Sequence, residues 1–353
     1  FMSVEPSNLD AAEPNSPSAK AKAETRRRAV EPSDLIRQPG PGNAIPGSFA
    51  FSIDSKTLSF LKSEDWTLNR AYWTTGVESV RPRVAARAPG AGDTEANLPL
   101  AEKLRRERQR ARDTGISQVI RARKADVTIV PLKGDLHFLT DNGLVPLTSS
   151  PSPEIDPQLN ADGTRVAFVR DDELHVLELR TKAEVQLTEG AVPGVTHGLA
   201  EFAAQEELAR STGFWWSPDG AKIAYQETDE RHIPLFTIVH EGNDEIGSET
   251  HRYPFAGKEN AKVRLGVVET SGGPTTWLDI PGLKEGDYLA RVEWDSPRSL
   301  LVQILSRDQT RLTLSRVGIL DGTVRQLAEE RAPTWVNLHD DLRVDEKSGG
   351  FVW

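Results

Sequence analysis

Glu206 and Glu207 stand side by side in the stretch AEFAAQEELARSTGFWWSPDG, residues 200–220. Two carboxylates at such close range repel unless a cation lies between them. Their flanks, LAEFAA and LARSTGFWW, are small or apolar, which predicts that the pair does not lie on a fully exposed surface. Acids held together without an internal partner suit an ammonium. A peptide's α-amino group, with a pKa of about 7.7–8.0, is largely protonated at neutral pH. Two carboxylates can accept its three N–H groups in charge-assisted hydrogen bonds, each worth roughly 1.5–3 kcal/mol when desolvated. Without that context, Glu-Glu on a helix is usually a solvated face.

A second charged segment, NLPLAEKLRRERQRARDTGI at residues 97–116, reads as a helix over 97–114. It has good helix formers, an acid near its start and Gly115 just past its end. Arg105, Arg106, Arg108, Arg110 and Arg112 make it polar nearly all round. A helix without an apolar stripe is not held by core burial, so something acidic is expected to face it.

Other chemistry is thinly supported. With no cysteine among 353 residues, thiol catalysis, disulfides and cysteine-ligated zinc are excluded. The seven histidines show no metal-ligand spacing, and His339 in WVNLHDD reads as structural. There is no G-x-S-x-G elbow, P-loop, G-x-G-x-x-G or H-E-x-x-H, so no catalytic triad, metal or cofactor is expected within this chain. A net charge of −10 disfavours phosphate-backbone binding, and a nucleic-acid partner is not expected. No stretch approaches the roughly 20 apolar residues of a membrane span.

The elements that must position these charges read as β. Residues 1–48 are rich in Pro, Ser, Ala and Glu and are expected to be disordered or extended. From residue 49 to 353, alternating strands such as KIAYQ and RVAFV follow polar turns of Asp, Ser, Pro and Gly. Asp-Gly at 162–163 and 219–220 is a tight-turn signal. Repeated antiparallel units at this spacing predict an all-β chain, part of a β-propeller, with the Arg-rich helix inserted. Trp215 and Trp216 are expected to pack at a blade centre, one of them buttressing the acid helix. The SPDG repeats alone suit a TolB-like, partner-binding propeller equally well; the acid pair and the Arg helix do not.

The stretch GLAEFAAQEELARSTGFWWSPDGAKIAYQETDERHIPL resembles the N-terminal propeller of the dipeptidyl-peptidase IV family of serine exopeptidases. The likeness extends over roughly residues 97–353, through HRYPFAGKENAKVRLGVV, LSRDQTRLTL and PTWVNLHDDLRV. It implies an eight-bladed propeller joined to a C-terminal α/β-hydrolase domain that carries the Ser-His-Asp triad; that domain is absent from this chain. It also implies that Glu206 and Glu207 hold the substrate's free N-terminus, so that X-Pro or X-Ala dipeptides are released. An arginine of the helix, Arg106 or Arg110, would contact the substrate backbone. Residues 225–254 would form an arm that helps to build a homodimer. The alternative is a propeller that binds partners without catalysis, as in members that have lost the nucleophile. Location is open: periplasmic or secreted if a signal peptide was removed, cytoplasmic otherwise.

Overall fold

The computed structural model describes residues 31–36, 45–79, 81–90, 98, 100–239, 248–284, 286–345, 348 and 350–353. The chain divides into units of residues 1–45 and 46–353. Most of the segment expected to be disordered or extended lies outside the described residues; the part described includes a short helix, α1, Pro32–Ile36.

The second unit is a series of antiparallel meanders whose spatial order follows the chain. The first sheet comprises Gly47–Phe51, Thr57–Ser63, Asn69–Gly76 and Arg83–Ala86, with Thr114–Gly115 added in parallel to the third strand. The second runs from Ile120–Arg121 to Gly143–Pro146, and the third from Ile155–Leu159 to Glu184–Gln186. In the fourth, Val195–His197 and Phe214–Trp216 share the partner Lys222–Asp229, followed by Lys262–Glu269 and Thr276–Leu278. The fifth runs from Tyr288–Ser296 to Val324–Arg331, and a hairpin of Arg343–Asp345 with Gly350–Val352 follows.

Each sheet packs face to face on the next. Leu61 and Tyr72 of the first meet Val130 and Leu132 of the second. Ile129 and Leu136 meet Val166 and Phe168 of the third. Val169 and Leu174 meet Phe214 and Tyr225 of the fourth, and Ala224 and Leu265 meet Leu289 and Val302 of the fifth. Burying each such large side chain contributes roughly 1.5–3 kcal/mol, so these faces hold the blades together. This is the blade stacking of a β-propeller; among the described residues no core cluster joins the first sheet to the last hairpin.

The turns repeat one device. Ser217 Oγ donates to Asp219 at 2.7 Å and accepts the Lys222 amide at 2.9 Å, while the Ala221 amide donates to Asp219 at 3.1 Å. Ser52 with Asp54 and Ser306 with Asp308 build the same knot, each Ser–Asp bond being 2.6 Å. At residue 160 an asparagine takes the serine's place: its Oδ1 accepts the Arg165 amide at 2.9 Å. The fourth residue of the SPDG turn, Gly220, has φ 67°, where a glycine carries no Cβ penalty.

A buried charge bridge joins the third and fourth sheets. His197 Nδ1 lies 2.7 Å from Glu173 and Nε2 lies 3.2 Å from Glu227. Arg264 pairs with Glu227 at 2.6 Å and lies 3.9 Å over the Trp277 ring. Burial pulls the imidazole down, but hydrogen bonds to Glu227 and Glu173 prevail and hold it above its ordinary 6.5. Burial likewise opposes ionisation of Glu227, yet His197 and Arg264 hold it down at about 2. The His197 contribution is therefore complete below pH 6.5 and lost as pH rises through the raised folded value. That of Glu227 is present above its ordinary 4.5 and lost as pH falls towards about 2. The urea midpoint is expected to fall as pH rises above 6.5, and His197→Gln to flatten that limb. An equally steep limb in the variant would remove the bridge from the account.

Candidate functional site

The acid pair lies on an excursion from the fourth sheet. Between Val195–His197 and Phe214–Trp216 the chain leaves as helix α3, Phe202–Glu206, with Glu207 as its C-terminal cap. An antiparallel bridge between Leu199 and Thr212 closes the neck. Gly213 permits this approach: a Cβ there would lie 2.6 Å from the Gly198 carbonyl oxygen and from the Leu199 carbonyl carbon. Beyond the helix, Ala209 takes φ 51°, and the Arg210 amide donates to Ala204 at 2.9 Å.

A clasp of buried charge fixes the base. Glu201 precedes α3, Arg210 follows it, and their side chains meet at 3.3 Å with both 4% exposed. Arg210 also donates to Gln226 Oε1 at 2.8 Å and to the carbonyls of Thr212 at 2.7 Å and Leu289 at 3.0 Å. Gln226 in turn donates to Glu201 at 2.6 Å and to Thr228 at 2.7 Å. A buried pair is tolerated when its remaining donors and acceptors are satisfied in this way. Leu208 adds an apolar anchor against Ala290, Leu305 and Leu312.

The tryptophans pack as the sequence suggests. Trp215 packs against the core between the fourth and fifth sheets, and Trp216 against that between the third and fourth. The Arg210 guanidinium lies 5.7 Å over the Trp215 ring, so Trp215 buttresses the acid helix through Arg210.

The Arg-rich helix, α2, spans Leu100–Arg108, shorter than the sequence suggests. Near its end Arg106 donates to the Asp113 carbonyl at 2.5 Å and to Ser117 at 3.2 Å, and beyond it Arg110 takes φ 53°, which a right-handed helix does not continue through. The expected acidic partner is Asp156 of the third sheet, 2.9 Å from the buried Arg105. Asp156 also accepts Thr212 Oγ1 at 2.6 Å, which ties α2 to the neck of the excursion. Arg108 lies 4.9 Å over the Phe202 ring of α3. Burial lowers the Arg108 pKa, against the attraction of Glu230 and Glu206.

Glu206 and Glu207 are both exposed, contrary to the shielded setting that their flanks suggest. Ala204 and Leu208, four residues apart, turn inward and carry the apolar character of the stretch. Neither carboxylate makes an ion pair or hydrogen bond with the described residues. Of the two favoured arginines, Arg106 is half-buried and engaged within its own loop, whereas Arg110 is exposed. Both line a hollow of about 410 Å³ with Lys103 and Arg112. His339 is half-buried and packs on Trp353 at 5.9 Å. Sequence reasoning missed Glu201, Arg210 and Arg108. Glu201 and Arg210 bracket the acid helix in the sequence, but nothing local marks them as a buried pair, because Gln226 and the Leu289 carbonyl come from later strands.

The segment read as an arm divides in the structure. Residues up to Asp229 belong to the fourth sheet, and a two-stranded ribbon pairs Leu235–Val239 with Ser248–Arg252. Residues 240–247 lie outside the described residues. Leu235, Phe236, Ile238 and Val239 are exposed on the ribbon.

Residues 122–353 match the family model described as the dipeptidyl peptidase IV (DPP IV) N-terminal region. Dipeptidyl peptidase 8 of Mus musculus is 27% identical over 264 residues, covering 60% of this chain and 30% of that protein. Inactive dipeptidyl peptidase 10 of Rattus norvegicus is 25% identical over 194 residues, covering 53% of this chain and 24% of that protein. The chain therefore spans less than a third of either relative. The crystal structure of Porphyromonas gingivalis dipeptidyl peptidase 4 superposes with a TM-score of 0.60 at 19% identity, over 83% of this chain and 40% of that one. That likeness bears on the fold.

Proposed function

The chain belongs to the dipeptidyl peptidase IV N-terminal-region family, and from that premise we propose that it is the substrate-selecting propeller of a serine dipeptidyl aminopeptidase. The enzyme releases N-terminal X-Pro or X-Ala dipeptides from peptides with a free amino end. Glu206 and Glu207 accept the N–H groups of the α-ammonium. Arg110, with Arg106 behind it, meets the substrate backbone. A Ser-His-Asp triad on an α/β-hydrolase domain outside these residues cuts the chain at a fixed distance from the acids. The exposed apolar ribbon serves a homodimer.

One observation carries this reading. The excursion is anchored by buried, paired charges, yet its two outermost carboxylates are exposed and bonded to no described residue. Exposed ion pairs contribute only about 0–1 kcal/mol, against roughly 1.5–3 kcal/mol for a desolvated charge-assisted bond. The pair therefore gains strength when a covering domain excludes water, which couples recognition of the amine to closure of the site.

The isolated chain is expected to bind Ala-Pro-Ala weakly, with a Kd on the order of 1 mM, about 4 kcal/mol. N-acetyl-Ala-Pro-Ala, lacking the ammonium, is expected not to bind. NMR titration of the labelled chain distinguishes them: equal shifts from both peptides would sink the clamp. The rival reading, a propeller that binds partners without catalysis, draws support from the relative named inactive. It is separated by assaying the natural gene product for dipeptide release from Ala-Pro-p-nitroanilide.

A further inference from the structure

An aromatic stack runs from the ribbon to the acid helix. Phe236 meets Phe255 at 5.5 Å and Tyr253 at 6.0 Å. Tyr253 meets Phe255 at 5.1 Å and, edge on, Phe202 at 5.1 Å. Phe202 opens α3, four residues before Glu206, and Arg108 of α2 lies 4.9 Å over its ring. The Phe202 ring thus makes contacts both with the ribbon base and with the Arg-rich helix.

The base of the ribbon is itself held firmly. Arg252, next to Tyr253, donates to the Ile233 carbonyl at 2.6 Å and to that of Arg231 at 3.1 Å. The Tyr253 amide donates to the Pro234 carbonyl at 3.1 Å. Glu201 and Arg210 fix where the excursion begins and ends. Among these contacts, only the Phe202 ring ties α3 sideways to both α2 and the ribbon. Edge-to-face aromatic pairs and cation–π contacts have preferred geometries, so the stack selects an orientation as well as a depth. A carboxylate pair that must meet an ammonium is sensitive to orientation, because displacement of about 1 Å in a positioned group can cost a hundredfold.

We infer that Phe202 and Tyr253 are positioning residues, which aim the Glu206–Glu207 pair by locking α3 between the ribbon base and Arg108. This rests on the ammonium-clamp reading of that pair. It adds that the ribbon, whose Phe236 feeds the stack, is mechanically joined to the site that reads the peptide's amino end.

The test compares Phe202→Leu, Tyr253→Leu and Tyr253→Phe in the full chain. The probes are Ala-Pro-Ala and N-acetyl-Ala-Pro-Ala, followed by NMR titration, with the urea midpoint measured for each variant. Both leucine variants are expected to lose at least about fivefold of the preference for the free amine. Tyr253→Phe, which keeps the ring, is expected to retain that preference. Tyr253 is half-buried at the ribbon base, so its leucine variant is expected to stay folded with a urea midpoint only modestly lowered. A preference that survives in both leucine variants would remove this inference alone. A preference lost equally in Tyr253→Phe would assign the effect to the hydroxyl and overturn the stack. No preference in the unaltered chain would remove the clamp, and this inference with it.

Discussion

Glu206→Ala or Glu207→Ala is expected to lower kcat/KM for free-amine X-Pro substrates tenfold to a thousandfold. That corresponds to about 1.4–4 kcal/mol of transition-state stabilisation. The assay uses the natural gene product, in which the proposed hydrolase domain accompanies this chain. On the proposed reading the loss exceeds that of an exposed ion pair, because the bonds would act in a site closed to water by a covering domain. Fold stability should hardly change, since both side chains are exposed and carry no hydrogen bond or ion pair to the described residues. Surface substitutions of that kind usually stay within about 0.5 kcal/mol. The two measurements together are decisive. Full activity in either variant would end the clamp account, and lost activity with a lowered urea midpoint would make the residues structural. Blocking the substrate's amino end should abolish the difference between wild type and variants.

Arg210→Met is expected to show the opposite pattern, a large loss of stability. It leaves the Glu201 carboxylate, 4% exposed, without its cation and removes the donors to Gln226 and to the Leu289 and Thr212 carbonyls. Removing one partner of a buried pair typically costs about 3–5 kcal/mol. Free-amine preference should vanish with it, because the base of the acid helix is released. Converting the partner as well, in a Glu201→Gln, Arg210→Met double variant, removes the stranded charge and should recover much of the loss. A single-variant cost below about 1 kcal/mol in urea titration would show that the clasp contributes little.

The parts of this molecule legible in its sequence are those set by neighbours along the chain. The Ser-x-Asp turns around Ser217 and Ser306 are local hydrogen-bond knots, and they announce themselves together with the alternating strands they join. The acid pair stands out for the same reason. Its exposure is not legible, because the apolar character of the flanks belongs to Ala204 and Leu208, on the buried side of a helix whose acids point away. The need for an acid opposite the Arg-rich helix was legible, but not that Asp156 supplies it to Arg105. Nor could the clasp be read. Glu201 and Arg210 flank the excursion openly, while Gln226 and the Leu289 carbonyl, which make their burial tolerable, arrive from later strands.

The closed neck of the excursion bears on how such a site can change over generations. Leu199 and Thr212 are bridged, and Gly213 lies against the Gly198 and Leu199 backbone. Insertions or deletions between those points that spare Glu201, Leu208 and Arg210 need not disturb the register of the strands outside them. The cost of a longer loop grows only slowly with its length. The reach of the two carboxylates is therefore adjustable separately from the blade that carries them. On the proposed reading, a lineage could lengthen or shorten the accepted peptide end by editing one loop, leaving the propeller to drift under packing constraints of its own.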